Sequence, residues 1–143
     1  MNELKKIWTD LPATVRLAIV GVGGYFVYLK IKGTIESLKG QAALDKAKRE
    51  AAAKGQVASL SDYEYSQLAR KIYNADSWPT DDEDAVYSAL RRLKNDYDFV
   101  KLEEAFQDVN QTDMISYVKK FLDSSEIGNC NQILIKQGIK YRF

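Results

Sequence analysis

Between Leu11 and Ile31 the chain runs LPATVRLAIVGVGGYFVYLKI, and Arg16 and Lys30 are the only charges in those 21 residues. A helix of that length reaches about 31 Å at 1.5 Å per residue, enough for one hydrocarbon core. The uncharged centre, 17–29, has 13 residues and is short for a span. Arg16 and Lys30 flank it, where long basic side chains can snorkel to the headgroups. The membrane-facing set is then Arg16, Leu17, Ile19, Val20, Val22, Tyr25, Phe26, Val27, Tyr28, Leu29 and Lys30. Trp8, Tyr25 and Tyr28 suit the interface, and Pro12 suits the first turn of a helix.

Three other readings of this run stay open. A cleaved leader has a short apolar core, but the residues that follow are Lys-Ile-Lys-Gly, with no small-x-small site. AIVGVGG looks like the strand and turn of a dinucleotide-binding fold, but Phe26 stands where the third glycine is needed and no βαβ pattern follows. A buried soluble helix would carry Gly21, Gly23 and Gly24 at roughly 1 kcal/mol each. Membrane helices tolerate glycine better, although GxxxG is missing here. We read a single span.

Charge divides the chain. Residues 1–58 hold ten Lys/Arg and five Asp/Glu, and residues 59–143 hold eleven and fifteen, so balances of +5 and −4 make the net +1. Lys5, Lys6 and Arg16 precede the centre of the run, while Lys30, Lys32, Lys39, Lys46, Lys48 and Arg49 follow it. The positive-inside rule then puts the C-terminal domain on the cytoplasmic side, or its equivalent in a virion interior. Residues 1–33 form the flank and span, and 34–58 an Ala- and Lys-rich spacer helix, solvated and semi-rigid. Lys39, Lys46, Lys48 and Arg49 on that spacer could meet anionic headgroups or, more weakly, nucleic acid phosphates.

From residue 59 the pattern becomes that of short amphipathic helices. Ser61-x-x-Glu64 is a capping box ahead of Tyr65, Leu68, Ala69 and Ile72 on one face. Thr80-x-x-Glu83 reads as a second box, ahead of Val86, Ala89, Leu90 and Leu93. Asp96 is expected to cap a helix carrying Phe99, Leu102 and Phe106, and Thr112 one carrying Ile115, Val118 and Leu122. Ser124 or Ser125 opens the last, with Ile127, Cys130 and Leu134 inward and Gly138 at C′. Only Ile139, Tyr141 and Phe143 alternate as a strand would. The expected fold is all-α: a transmembrane helix, a spacer helix and a compact five-helix bundle over 59–143.

Composition removes most catalytic chemistry. With no His and a single Cys, imidazole triads, imidazole zinc sites, disulfides within the chain and thiolate clusters are all excluded. Hydrophobic residues at 45% and charged residues at 29% exclude wholesale disorder. Asp81, Asp82, Glu83 and Asp84 are the densest acidic run, read as a helix start favoured by the macrodipole rather than a metal site. Arg91, Arg92 and Lys94 suit a helix C-terminus for the same reason. Cys130 reads as a small core residue, and Glu103 and Glu104 point in different directions and make no acid/base pair. Trp78, beside Pro79, is a partner-binding candidate, as are Tyr141 and Phe143.

The run ARKIYNADSWPTDDEDAVYSALRRLKNDYDFVKLEEAF, followed by TDMISYVKKFLDSSE and NQIL, resembles one annexin repeat over about 75 residues. Thr80, Asp82, Glu83, Phe106, Asp113 and Met114 occupy places that match the family. The chain is also similar to small annexin-like proteins with an N-terminal hydrophobic segment from Bacteroidetes bacteria and their phages. That resemblance implies a five-helix repeat, but the family's calcium loop is degenerate. Trp78, Thr80 and Glu83 lie in a loop without its glycines, and Phe121 stands where the acidic ligand belongs, so the hard cation loses its anionic oxygen. No metal, cofactor or small-molecule substrate is expected, and no constellation supports an enzyme. The resemblance and the apolar run together imply a membrane-anchored structural protein that meets the bilayer and protein partners, such as capsid or other envelope proteins. Its specific form is a minor virion protein linking an internal membrane to a capsid. The alternative is a lipid- or calcium-responsive binding module of a bacterial envelope.

Overall fold

The computed structural model describes residues 38–77 and 79–143. The span residues Arg16 to Lys30 lie outside the described residues, as does Trp78. Among the described residues there are six helices and no strand, and no helix is long and apolar enough to cross a membrane. They are α1 Gln41–Ala53, α2 Asp62–Asn74, α3 Glu83–Leu90, α4 Asp96–Asn110, α5 Met114–Phe121 and α6 Ser124–Lys136. Five helices do follow residue 59, and the expected inward stripes are their buried faces, with Ile127 only partly buried.

The longest of them, α4, is the centre of the fold. It packs against α1, α2 and α5, while α3 bridges α2 and α6. Phe99, Val100, Leu102 and Phe106 are fully buried along α4, against Tyr65, Ala69 and Ile72 of α2. Cys130 and Leu134 of α6 close the core from the far side. Burial of this kind, at about 25 cal/mol per Å² of apolar surface, holds together helices of 8 to 15 residues that would be marginal alone.

The caps show how local chemistry sets the boundaries. Ser61 and Glu64 form the full capping box: the Ser61 amide donates to Glu64 at 2.8 Å and the Glu64 amide donates to Ser61 Oγ at 3.3 Å. The other N-termini differ from expectation by one or two residues. Asp82 caps α3 in place of Thr80, Asn95 caps α4 in place of Asp96, and Asp113 caps α5 in place of Thr112. Asp123 rather than a serine caps α6, in a capping box with Glu126. In each case an Asp or Asn beside the expected residue presents its oxygen to the amide two or three positions on, and Asp and Asn rank at or above Ser and Thr in this role. Asp81 apart, the acidic run is thus helix-start chemistry: Asp82 is the cap, and Glu83 and Asp84 fill the first turn.

Gly138 takes the expected C′ position, at φ 69°. Its amide bonds to Ile135 O and the Ile139 amide to Leu134 O, the paired bonds of a Schellman ending. The residues beyond it do alternate, but no strand forms. Ile139, Tyr141 and Phe143 turn inward and are buried, and Phe99 stacks on Tyr141 at 5.0 Å and meets Phe143 edge-on at 6.1 Å. Asn131 holds the Phe143 backbone at both ends, accepting its N–H at 2.8 Å and donating to its carbonyl at 3.3 Å.

The largest departure concerns the spacer. A helix is present over Gln41–Ala53, but it is docked on α4 rather than solvated: Leu44 and Ala47 join the core, and Ala51, the next residue on that stripe, is buried. Leu38, just ahead of it, is buried as well. Residues 35–143 therefore form one compact unit, so the bundle begins well before residue 59.

Candidate functional site

The seam between α1 and α4 carries a paired set of polar side chains that sequence reasoning missed. On its outer side Lys48 donates to Glu104 at 2.7 Å, and Gln41 donates to the same oxygen at 3.0 Å. Lys101 reaches Asp62 at 2.8 Å and Glu104 at 3.5 Å. Partial burial pushes the Glu104 carboxyl up, but Lys48 and Gln41 outweigh it and hold the group below its usual value.

On the inner side of the same helix, Glu103 is fully buried. Its Oε1 accepts from the Gln107 side chain at 2.9 Å and from the Met114 amide at 2.8 Å. Burial raises its carboxyl to about 7, against the pull of those two donors and of the Ile115 amide, and with a further push from Asp113. Gln107 passes the contact on, donating to Leu38 O at 2.8 Å and accepting from the Gly40 amide at 3.1 Å. A cleft of about 380 Å³ opens beside it, lined by Lys39, Gly40, Gln107, Gln111, Thr112 and Asp113. Glu103 and Glu104 do point in different directions, about 100° apart around the helix, Glu103 toward Met114 and Glu104 toward Lys48 and Lys101. A signal for Glu103 was present, since it lies four residues after Phe99 and three before Phe106, on the apolar stripe.

One turn earlier, Asp98 is also fully buried, yet fully partnered. It accepts from the Ser59 amide and hydroxyl at 2.8 and 2.6 Å, the Tyr65 hydroxyl at 2.6 Å and the Lys94 amide at 2.7 Å. Burial pushes this carboxyl up, but those donors, the Ser59 hydroxyl foremost, hold it below the ordinary value.

A second feature is aromatic. Tyr73 stacks on Tyr117 at 5.3 Å, Tyr117 meets Phe121 edge-on at 5.7 Å, and the Tyr117 hydroxyl donates to Tyr73 O at 3.0 Å. Tyr73 is 46% exposed, so the cluster reaches the surface near the 75–80 loop. Phe121, which the annexin resemblance was expected to put in place of an acidic ligand, belongs to this cluster, half-buried. Thr80 is exposed, and Glu83 sits in the first turn of α3. Among the described residues no group of three His, Cys, Asp or Glu side chains is placed to hold a metal ion.

The remaining candidates fall in different places. Tyr141 and Phe143, expected to meet a partner, are buried on Phe99 instead, because the alternation that made them conspicuous turns them both to the core. Of the basic spacer residues, Lys46 and Arg49 are exposed, Lys48 is neutralised by Glu104 and Asp45, and Lys39 lies 3.9 Å from Asp113. Arg91 lies over the Tyr87 ring at 5.9 Å, and Arg92 pairs with Glu64 at 3.1 Å, both just past the end of α3. Cys130 is a buried core thiol, which burial pushes up to about 12. Comparison with protein-family models, curated proteins and solved structures finds no match for this chain.

Proposed function

We propose that this chain is a non-enzymatic, single-pass membrane protein whose annexin-like bundle is held beside a bilayer and docks on protein partners. The observation that carries it is the seating of α1: Leu38, Leu44 and Ala47 join the helix that follows the apolar run to the bundle core, and Ala51 is buried as well. A docked helix transmits position from an anchor to a domain, which a solvated spacer does not. The run 11–31 supplies the anchor on hydropathy, and the excess of basic residues after it places the bundle on the cytoplasmic side. The exposed edge of the Tyr73, Tyr117 and Phe121 cluster offers partners an amphipathic aromatic surface. The specific form, a minor virion protein between an internal membrane and a protein shell, rests on the resemblance alone.

Membrane fractionation with an alkaline wash tests the reading, comparing the full chain with one starting at Ile35, where the compact unit begins. The full chain should stay in the washed pellet and the shorter chain in the supernatant. Both in the supernatant would overturn the anchor.

A further inference from the structure

Glu103 is the one carboxylate among the described residues that is both fully buried and incompletely partnered. Its Oε1 has two donors, while its Oε2 meets no hydrogen-bond partner among the described residues. An enclosed charged oxygen without a donor carries a large desolvation penalty, which the uncharged acid avoids. Asp113, the cap of α5, adds like charge on one side. Lys39, entering α1, offsets part of it from 3.9 Å away from Asp113. Glu104, the next residue on α4, faces away toward Lys48 and Lys101.

The group is also wired to the entry of α1. Gln107 donates both to Glu103 Oε1 and to Leu38 O, and it accepts from Gly40, so one amide side chain fastens the entry of α1 to this carboxyl. The cleft beside Lys39, Gly40 and Gln107 is open to solvent, and it supplies water if that entry lifts. We propose that Glu103 is a proton-operated latch on the Leu38–Gly40 segment: uncharged, it is tolerated in its enclosed seat with that segment closed on Gln107, and charged, it keeps its bond to Gln107 but favours lifting of the segment from Gln107 so that water reaches Oε2. Its carboxyl, raised to about 7 by burial, changes state near neutrality. The proposal concerns the fold of residues 35–143 and stands whether or not the apolar run is a membrane span.

Hydrogen exchange on the full chain tests it, following the amides of Leu38–Leu44 and correcting for the intrinsic pH dependence of exchange. Corrected exchange should rise about tenfold or more from pH 5.5 to pH 8 in the unmodified chain, given a shift of that size in the carboxyl. Glu103→Gln, which holds the group uncharged, should stay flat at the slow rate. A flat profile in the unmodified chain, or a rise that persists in Glu103→Gln, overturns the latch. A second measurement needs no variant: carbon NMR of the glutamate carboxyls alongside the Gly40 amide. One carboxyl with a midpoint near 7 that coincides with the Gly40 transition supports the latch. A Gly40 amide that is indifferent to pH, or carboxyl midpoints all near 4.5, overturns it.

Discussion

The hydroxyl of Tyr65 donates to Asp98 Oδ1 at 2.6 Å, inside the contact between α2 and α4. With the Ser59 and Lys94 donors it gives Asp98 four bonds, so this buried carboxylate is stable as an anion. Burial and the Asp98 charge in turn push the Tyr65 hydroxyl well above its ordinary value, leaving it a donor at any physiological pH. Asp98→Ala strands those donors and should cost about 3–5 kcal/mol. Tyr65→Phe removes one donor and should cost about 1–2 kcal/mol. Urea denaturation of both single variants and the double variant measures the coupling; additive losses would show that the bond contributes nothing of its own.

Two of the three buried carboxyls of α4, Asp98 and Glu103, give opposite pH dependences. Asp98 is held below its ordinary 3.8, so its contribution is present above that value and is lost as pH falls through the folded one. Glu103 is raised from 4.5 to about 7, so its contribution is fully present below 4.5 and is lost as pH rises to about 7. Thermal unfolding should therefore show Tm falling from pH 5 to pH 8, and Glu103→Gln should abolish that slope while leaving acid unfolding unchanged.

Gly40 stands at φ 87° and ψ 158°, a region open essentially to glycine alone. A Cβ there would meet nothing within 4 Å, so the penalty of Gly40→Ala is backbone strain, about 1–3 kcal/mol. Chemical denaturation gives its size. Limited trypsinolysis at Lys39 should show faster cleavage in the variant, because the strain falls on the entry to α1.

Phe143 and Tyr141 pack on Phe99, so Phe143→Ala should cost about 3 kcal/mol or more in denaturant unfolding. A surface role in partner binding would instead leave stability within about 0.5 kcal/mol of the unmodified chain.

Cys130 is fully buried and its thiol is pushed up to about 12, so little thiolate exists near neutrality. A thiol-specific dye should label it only after denaturant is added. Rapid labelling of the native protein would mean that α6 opens locally.

What was legible in the residues was periodic. Tyr65, Leu68, Ala69 and Ile72, or Val86, Ala89, Leu90 and Leu93, announce their buried faces by spacing alone, and Gly138 announces a helix end. The caps were legible only to within a residue or two, since Asp123 and Ser124, or Asn95 and Asp96, are all competent and tertiary packing chooses between them. The docking of α1 was not legible, because Ala47 and Ala51 bury little area and a stripe of small residues resembles a helix-forming spacer. Tyr141 and Phe143 showed their alternation but not its destination. Glu103 was hidden for a different reason: a carboxylate on an apolar stripe breaks the very pattern used to read it.

The seating of α1 also sets a leash. A free helical spacer over 34–58 would let the bundle range some 37 Å from the end of the apolar run. With Leu38 fixed in the core, only residues 32–37 separate Ile31 from the folded unit, and six residues span at most about 21 Å. Under the anchored reading proposed above, that chain length caps how far the bundle could range from whatever holds the run. Under the same reading, partners within that reach would gain effective concentration, and partners farther away would stay out of reach.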